Sequence, residues 1–148
     1  MFLKALECES DVAPKAMINL GLLYNTRGNY LAQTGDMKGA STAAHSAAKY
    51  LDEGRALLST LSSDGKLDSQ LERYLQQYRP LRLQTHRLIG QLYAGEGDMS
   101  SCEAEFRRAT ESFPEESFAW QMLSKVLELQ GKHAEASKAA DTARSLMG

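Results

Sequence analysis

The side chains capable of chemistry are few and lie far apart in the chain. There are three histidines, His45, His86 and His133, and none belongs to an HExxH pattern. No CxxC pair or carboxylate-rich loop gathers ligand types at the spacing that zinc or calcium needs. No metal site and no cofactor is expected. The two cysteines, Cys8 and Cys102, are too few and too scattered for a disulfide framework, which fits a reducing compartment. Gly95, Gly97 and Asp98 have the composition of a phosphate loop, but no strand pattern precedes them and no Gly-Lys-Ser/Thr follows, so they read as turn residues. Serines without a paired histidine and acid offer no nucleophile. No catalytic residue is assigned, and the chain is read as non-enzymatic. The densest basic cluster is Arg79, Arg82, His86 and Arg87, with Tyr74, Tyr78 and Tyr93 nearby in sequence. It is either a solvated face with tyrosines in the core, or an anchor for an acidic segment or for RNA, because arginine makes bidentate contacts and aromatics stack.

Composition narrows the classes further. A chain of 148 residues forms a domain of ordinary size that buries a core without disulfides or metal. Charged residues make up 24% and the formal net charge is only -2, so no bulk basic field attracts nucleic acid or an anionic membrane. No apolar run approaches the ~20 residues that span a bilayer. The opening MFLKALECESD carries Glu7, Glu9 and Asp11, which argues against a secretory signal or transit peptide. A soluble, cytoplasmic protein is expected, with no membrane partner.

The elements that must position these residues are helices. Between residues 83 and 116, Ile89, Gly90 and Tyr93 recur at helical spacing. Gly97 and Asp98 then break the pattern, and Cys102, Phe106 and Ala109 mark a second apolar stripe that ends near Pro114. This is a helical hairpin. Shifted by 34 residues, Ile89 falls on Leu123, Gly97 on Gly131, Cys102 on Ala136, Phe106 on Ala140 and Ala109 on Ala143.

A helix-turn-helix period of that length resembles the tetratricopeptide repeat (TPR) family. His86 takes the tryptophan position of that repeat, Ile89-Gly90 its Leu-Gly pair, and Tyr93, Phe106 and Pro114 its Tyr, Phe and Pro. In the unit 117–148, Trp120 and Leu123 fit, while Ser124, Leu127 and Ala140 replace the glycine, tyrosine and phenylalanine. The resemblance implies an all-α fold of stacked antiparallel helix hairpins, a short superhelical array acting as a scaffold that binds other proteins.

Upstream, Met17, Leu20, Gly21 and Tyr24 reproduce the first-helix face. The Gly-Asp-Met of 35–37 echoes that of 97–99, so the first repeat is about seven residues longer than the pattern, roughly two extra turns. Ala40, Ala44 and Ala47 are assigned to its second-helix positions, in one long helix running through Gly54. Residues 62–65 form a turn, and Leu67, Leu71, Leu75 and Tyr78 mark an extra helix with a boundary expected at Arg79, before Pro80; a kinked continuous helix is the alternative. The whole is read as a single domain: a partial or terminal helix at 1–12, a lengthened repeat at 13–62, an extra helix at 63–82, and repeats at 83–116 and 117–148.

In stacked repeats the first helices line the concave face. The outward positions are Lys15, Ile18, Leu22, Asn25 and Thr26, then Gln84, Arg87, Gln91, Ala94 and Gly95, then Phe118, Gln121, Lys125, Glu128 and Leu129. Family members that clamp the carboxylate tail of heat-shock chaperones use Lys, Asn and Arg at positions held here by Ile18, Leu22, Leu88, Phe118 and Met122, so that ligand is disfavoured. The leading expectation is a scaffold or adaptor that binds a partner peptide or helix in the groove. Alternatives are a structural subunit that self-assembles or docks in a larger complex, and an RNA-binding helical repeat. Phe2 and Leu6, on an apolar face lacking a partner helix, are expected to drive a homodimer.

Overall fold

A computed structural model describes residues 12–148, and all regular structure in it is α-helical. Six helices follow one another: α1 (Val12–Thr34), α2 (Met37–Ser63), α3 (Ser69–Gly95), α4 (Met99–Ser112), α5 (Ser117–Leu129) and α6 (His133–Met147). Neighbours are joined by short turns and fold back as antiparallel hairpins. The two Gly-Asp-Met sequences do the same job at two of these turns. Gly35 and Gly97 adopt φ of 94° and 81°, a left-handed conformation that stops a helix and that only glycine reaches without strain. The aspartate that follows then caps the next helix, Asp36 accepting from the Gly39 amide at 2.9 Å and Asp98 from the Ser101 amide at 3.0 Å.

The chain divides into two compact units, the first ending at Thr85 and the second spanning His86–Gly148. The division falls inside α3.

In the first unit, α1 and α2 meet through a pair of reciprocal notches. Leu51 of α2 fills the space beside Gly21, where a Cβ would lie 2.4 Å from its Cγ, and Ile18 of α1 fills the space beside Gly54, where a Cβ would lie 2.9 Å from its Cδ1. Ile18 and Leu51 are both fully buried. In the second unit Phe106 lies against Gly90, where a Cβ would sit 2.3 Å from its ring. Leu51 thus stands to Gly21 as Phe106 does to Gly90, a place that the second-helix positions Ala40, Ala44 and Ala47 do not include. Gly90 and Phe106 stand seven residues before and nine after Gly97, whereas Gly21 and Leu51 stand fourteen before and sixteen after Gly35. Both arms of the first hairpin are therefore seven residues longer, not one, because a contact between antiparallel helices is kept only if both lengthen equally.

The α3 helix corrects the boundary expected at Arg79. It is continuous over 27 residues with Pro80 in its interior. Proline gives up one intrahelical bond there, but Pro80 is on the exposed side, while Leu71, Tyr78, Thr85 and Ile89 form a buried stripe on the opposite face of the helix, before and after it. Packing on both sides of the proline outweighs the local bias of the residue before it. The first part of α3 lies on the first hairpin: Lys15 donates to Gln70 at 2.7 Å, and the Tyr78 hydroxyl donates to Asp52 at 2.8 Å.

Candidate functional site

Of the ten residues assigned to partner binding, five lie in the first unit, and two of these do not face outward. Ile18 is fully buried against Gly54. Asn25 is 3% exposed and donates to Gln84 at 3.3 Å, so both of its side chain and that of Gln84 are engaged with each other. The repeat register failed for these two because helix α1 is covered on more than one side: α2 takes the face carrying Ile18, and the first part of α3 reaches Lys15 and Asn25 through Gln70 and Gln84. Leu22 remains exposed, as do Leu23 and Tyr30.

The other five, Arg87, Gln91, Phe118, Gln121 and Lys125, line one cleft in the second unit. Its volume is about 360 Å³, and Ala94 and Leu129 from the same register also border it. Arg87, Gln91 and Ala94 repeat at intervals of one helical turn along α3, and Phe118, Gln121 and Lys125 do so along α5. Between these walls lie Met99, Cys102 and Phe106 of α4 together with Met122 and Val126 of α5. The sequence reading did not assign Met99, Cys102, Phe106 or Val126 to the binding surface, and named Met122 only at a position of the chaperone-tail clamp. Met122 and Val126 are neighbours of Phe118 and Lys125 on the α5 surface, a spacing that would have flagged them. Phe118, 40% exposed, and Leu129, 64% exposed, offer apolar surface at the edge of the cleft.

The cleft is held by a polar network behind and beside it. His86 and Glu105 form a buried pair, Nδ1 to Oε2 at 2.5 Å, and Arg108 donates to the other Glu105 oxygen at 2.8 Å. Burial pushes the Glu105 carboxyl up, but the hydrogen bonds from His86 and Arg108 outweigh it and hold the group at about 2. His86 meets Phe113 edge-on, with ring centroids 6.4 Å apart. It is a packed histidine in the tryptophan position, engaged by an acid. A second carboxylate, Glu103, accepts from Lys132 and Gln130 at 2.8 Å each and from Arg107 at 2.7 Å. Hydrogen bonds from Lys132 and Arg107 lower it to about 2 against the effect of burial. Arg107 also reaches Glu135, so this cluster ties α4 to the α5–α6 turn and to α6. Between α5 and α6, the small Ser124 sits close enough to donate to the Ala136 carbonyl at 2.9 Å.

Burial, reinforced by Glu105 and Asp98, raises the Cys102 thiol to about 11, so it is a packing residue and a poor nucleophile. The basic cluster is dispersed by pairing. Arg82 clasps Asp52 with Nε at 2.9 Å and Nη2 at 3.3 Å, and His86 is buried. Tyr78 donates to the same Asp52 and lies beneath Arg55, whose guanidinium is 5.5 Å from the ring centroid. Burial first, then the hydrogen bond to Asp52, pushes the Tyr78 hydroxyl up to about 12. Arg87 alone of that cluster lines the cleft. Phe2 and Leu6 lie outside the described residues.

Among the described residues no group of three or more His, Cys, Asp or Glu is placed to hold a metal ion. None of their helices is long and apolar enough to cross a membrane. No protein-family model and no curated protein matches the chain. Solved structures do. One of MamA is 17% identical, with 85% of this chain and 95% of that chain covered and a TM-score of 0.41. One of the assembly chaperone of RpL4, Acl4, is 17% identical, with 95% of this chain and 69% of that chain covered and a TM-score of 0.48. A further MamA structure is 14% identical over 99% of this chain and 84% of that chain, at a TM-score of 0.43. At these identities the likeness is one of fold and carries nothing about what this chain binds.

Proposed function

We propose that the chain is a non-enzymatic protein-interaction module of the TPR type, and that its second unit holds a segment of a partner protein in the cleft between α3 and α5. The observation that carries this reading is the cleft itself: Phe118 and Leu129 expose apolar surface beside an apolar floor, and Arg87, Gln91, Gln121 and Lys125 provide a polar rim. A concave apolar site with a few polar groups around it is the form that binding sites take. Among the described residues the Arg87, Gln91 and Lys125 side chains make no hydrogen bond or ion pair, whereas Gln121 donates to Ser117 at 3.1 Å and to the Met147 sulfur at 3.5 Å.

Site-specific photo-crosslinkers at Gln121 and, as a control outside the lining of the cleft in the same unit, at Lys138 test the proposal. Crosslinking to protein in native cell extract should concentrate at Gln121 and fall at least tenfold when Phe118→Asp is introduced. Equal capture at the two positions, or capture indifferent to Phe118→Asp, would reject the cleft as the binding surface. Self-assembly is a second reading, favoured by the exposed Leu22, Leu23 and Tyr30 along α1 of the first unit.

A further inference from the structure

We infer that the occupant of the second unit's cleft is an acidic segment of a partner protein, inserting one bulky apolar side chain against Phe106, Met122 and Val126 and setting carboxylates against Arg87 and Lys125. This rests on the binding reading above and adds the chemistry of the ligand.

The argument begins with charge. Acids outnumber bases in the chain, 19 to 17, yet no acidic side chain lines the cleft. Elsewhere in the same unit Arg107, Arg108, Lys132 and Arg144 are each tied to a carboxylate. Arg87 and Lys125 share with Lys138 the lack of any side-chain hydrogen-bond or ion-pair partner among the described residues, and these two are the ones that lie exposed on the cleft. One stands on the α3 wall and the other on the α5 wall, so a segment lying between them meets a cation on each side. Low local screening beside an apolar floor strengthens the attraction of such cations for carboxylates. Arg87 adds a planar fork that matches a carboxylate in a bidentate manner.

Size fixes the rest of the ligand. A cleft of about 360 Å³ lies near the bottom of the range for ligand sites and admits a large side chain with its immediate neighbours, not a whole helix. Its floor of Phe106, Met122 and Val126 calls for an apolar anchor, and methionine adapts its shape to whichever anchor enters. Acidic flanks around a Phe, Leu or Met therefore match both the charge and the volume.

The test selects random displayed dodecapeptides on the full chain and sorts them by dependence on Phe118→Asp. Phe118-dependent peptides should carry Asp and Glu on the flanks of a Phe, Leu or Met. They should bind the Arg87→Glu, Lys125→Glu variant at least tenfold more weakly, with its helical circular dichroism unchanged. Selection on that variant should favour Lys and Arg flanks instead, a swap that a merely structural role for these cations would not produce. Phe118-dependent peptides without acidic bias would overturn the charge assignment and leave the cleft as a binding site. Absence of any Phe118-dependent peptide would remove both. Displacement of the selected peptides by polyuridylate would assign the cleft to nucleic acid and overturn the inference. A synthetic peptide of residues 1–11 separates the remaining source, since Phe2, Leu3 and Leu6 precede Glu7, Glu9 and Asp11 in this chain. Displacement by that peptide at equal concentration would make the occupant a second copy and overturn the assignment to a separate partner.

Discussion

Replacing Gly21 by alanine should destabilise the first unit, although alanine is the better helix former. A Cβ there would lie 2.4 Å from both Cγ and Cδ2 of Leu51, which is fully buried. Carbon atoms pack at about 3.5 to 4.0 Å, so the two helices must part or Leu51 must leave its rotamer. Overpacking of a core costs about 1 to 3 kcal/mol, and a clash with a branch carbon close to the backbone belongs at the upper end. The gain in helix propensity returns about 1 kcal/mol. The net loss is about 2 kcal/mol, or roughly a 30-fold increase in the open population. Hydrogen exchange of the α1 and α2 amides under native conditions measures this directly, without requiring both units to unfold together. Leu51→Ala removes both clashing atoms and alone should cost about 2 to 5 kcal/mol as a cavity. Combined with Gly21→Ala it should cost less than the sum, because the new methyl enters the space that Leu51 vacates. A Gly21→Ala protein as protected as the parent, or strict additivity in the double variant, would refute the notch.

Three further outcomes are expected. Stability should fall as pH drops from the ordinary 4.5 of a glutamate towards 2, because Glu103 and Glu105 have folded values lowered to about 2 and contribute stability above 4.5 that protonation removes. Acid unfolding curves check this, and Glu105→Ala, which leaves His86 buried without its partner, should cost about 3 to 5 kcal/mol at neutral pH. In a Cys8→Ser background, Cys102 should resist a disulfide-exchange reagent at pH 8 and react only on unfolding, since its thiol is raised to about 11; rapid labelling of the folded chain would contradict its burial. Light scattering at micromolar concentration should show a dimer that Phe2→Asp with Leu6→Asp dissolves; a clean monomer mass for the parent chain would end the proposal of self-association.

Helix type and most turns were legible in sequence because each rests on local chemistry. Gly35-Asp36 and Gly97-Asp98 carry both the stop and the cap, and the Gly90–Phe106 contact follows from two positions in one hairpin. The path of α3 was not legible: the bias imposed by Pro80 on Arg79 is local, whereas the stripe from Leu71 to Ile89 that overrides it acts through packing partners distant in sequence. Arg87, Gln91 and Ala94 of α3 and Phe118, Gln121, Lys125 and Leu129 of α5 border one cleft because both helices there keep the ordinary register of a repeat. Ile18 and Asn25 were misplaced for the opposite reason. A periodic pattern tells which residues share a face of a helix, but not how many faces will be covered, and the extra helix supplied a neighbour that the repeat pattern does not contain.

The two-sided lengthening of the first hairpin constrains how such a chain can change by insertion and deletion. A heptad added to α1 alone would carry Gly21 past Leu51 and Gly54 past Ile18, so a change that keeps both notches has to come as matched pieces on both sides of the Gly35-Asp36 turn. Two turns in each arm is also close to a whole number of residues per face, seven residues falling about 20° short of two full turns. The stripe that meets the partner helix thus stays nearly on the same side. Any pattern of fixed spacing slides out of step by one heptad at the end of α1 and by two at the end of α2, so a hairpin of this kind is recognised by counting outward from its turn and not forward from its start.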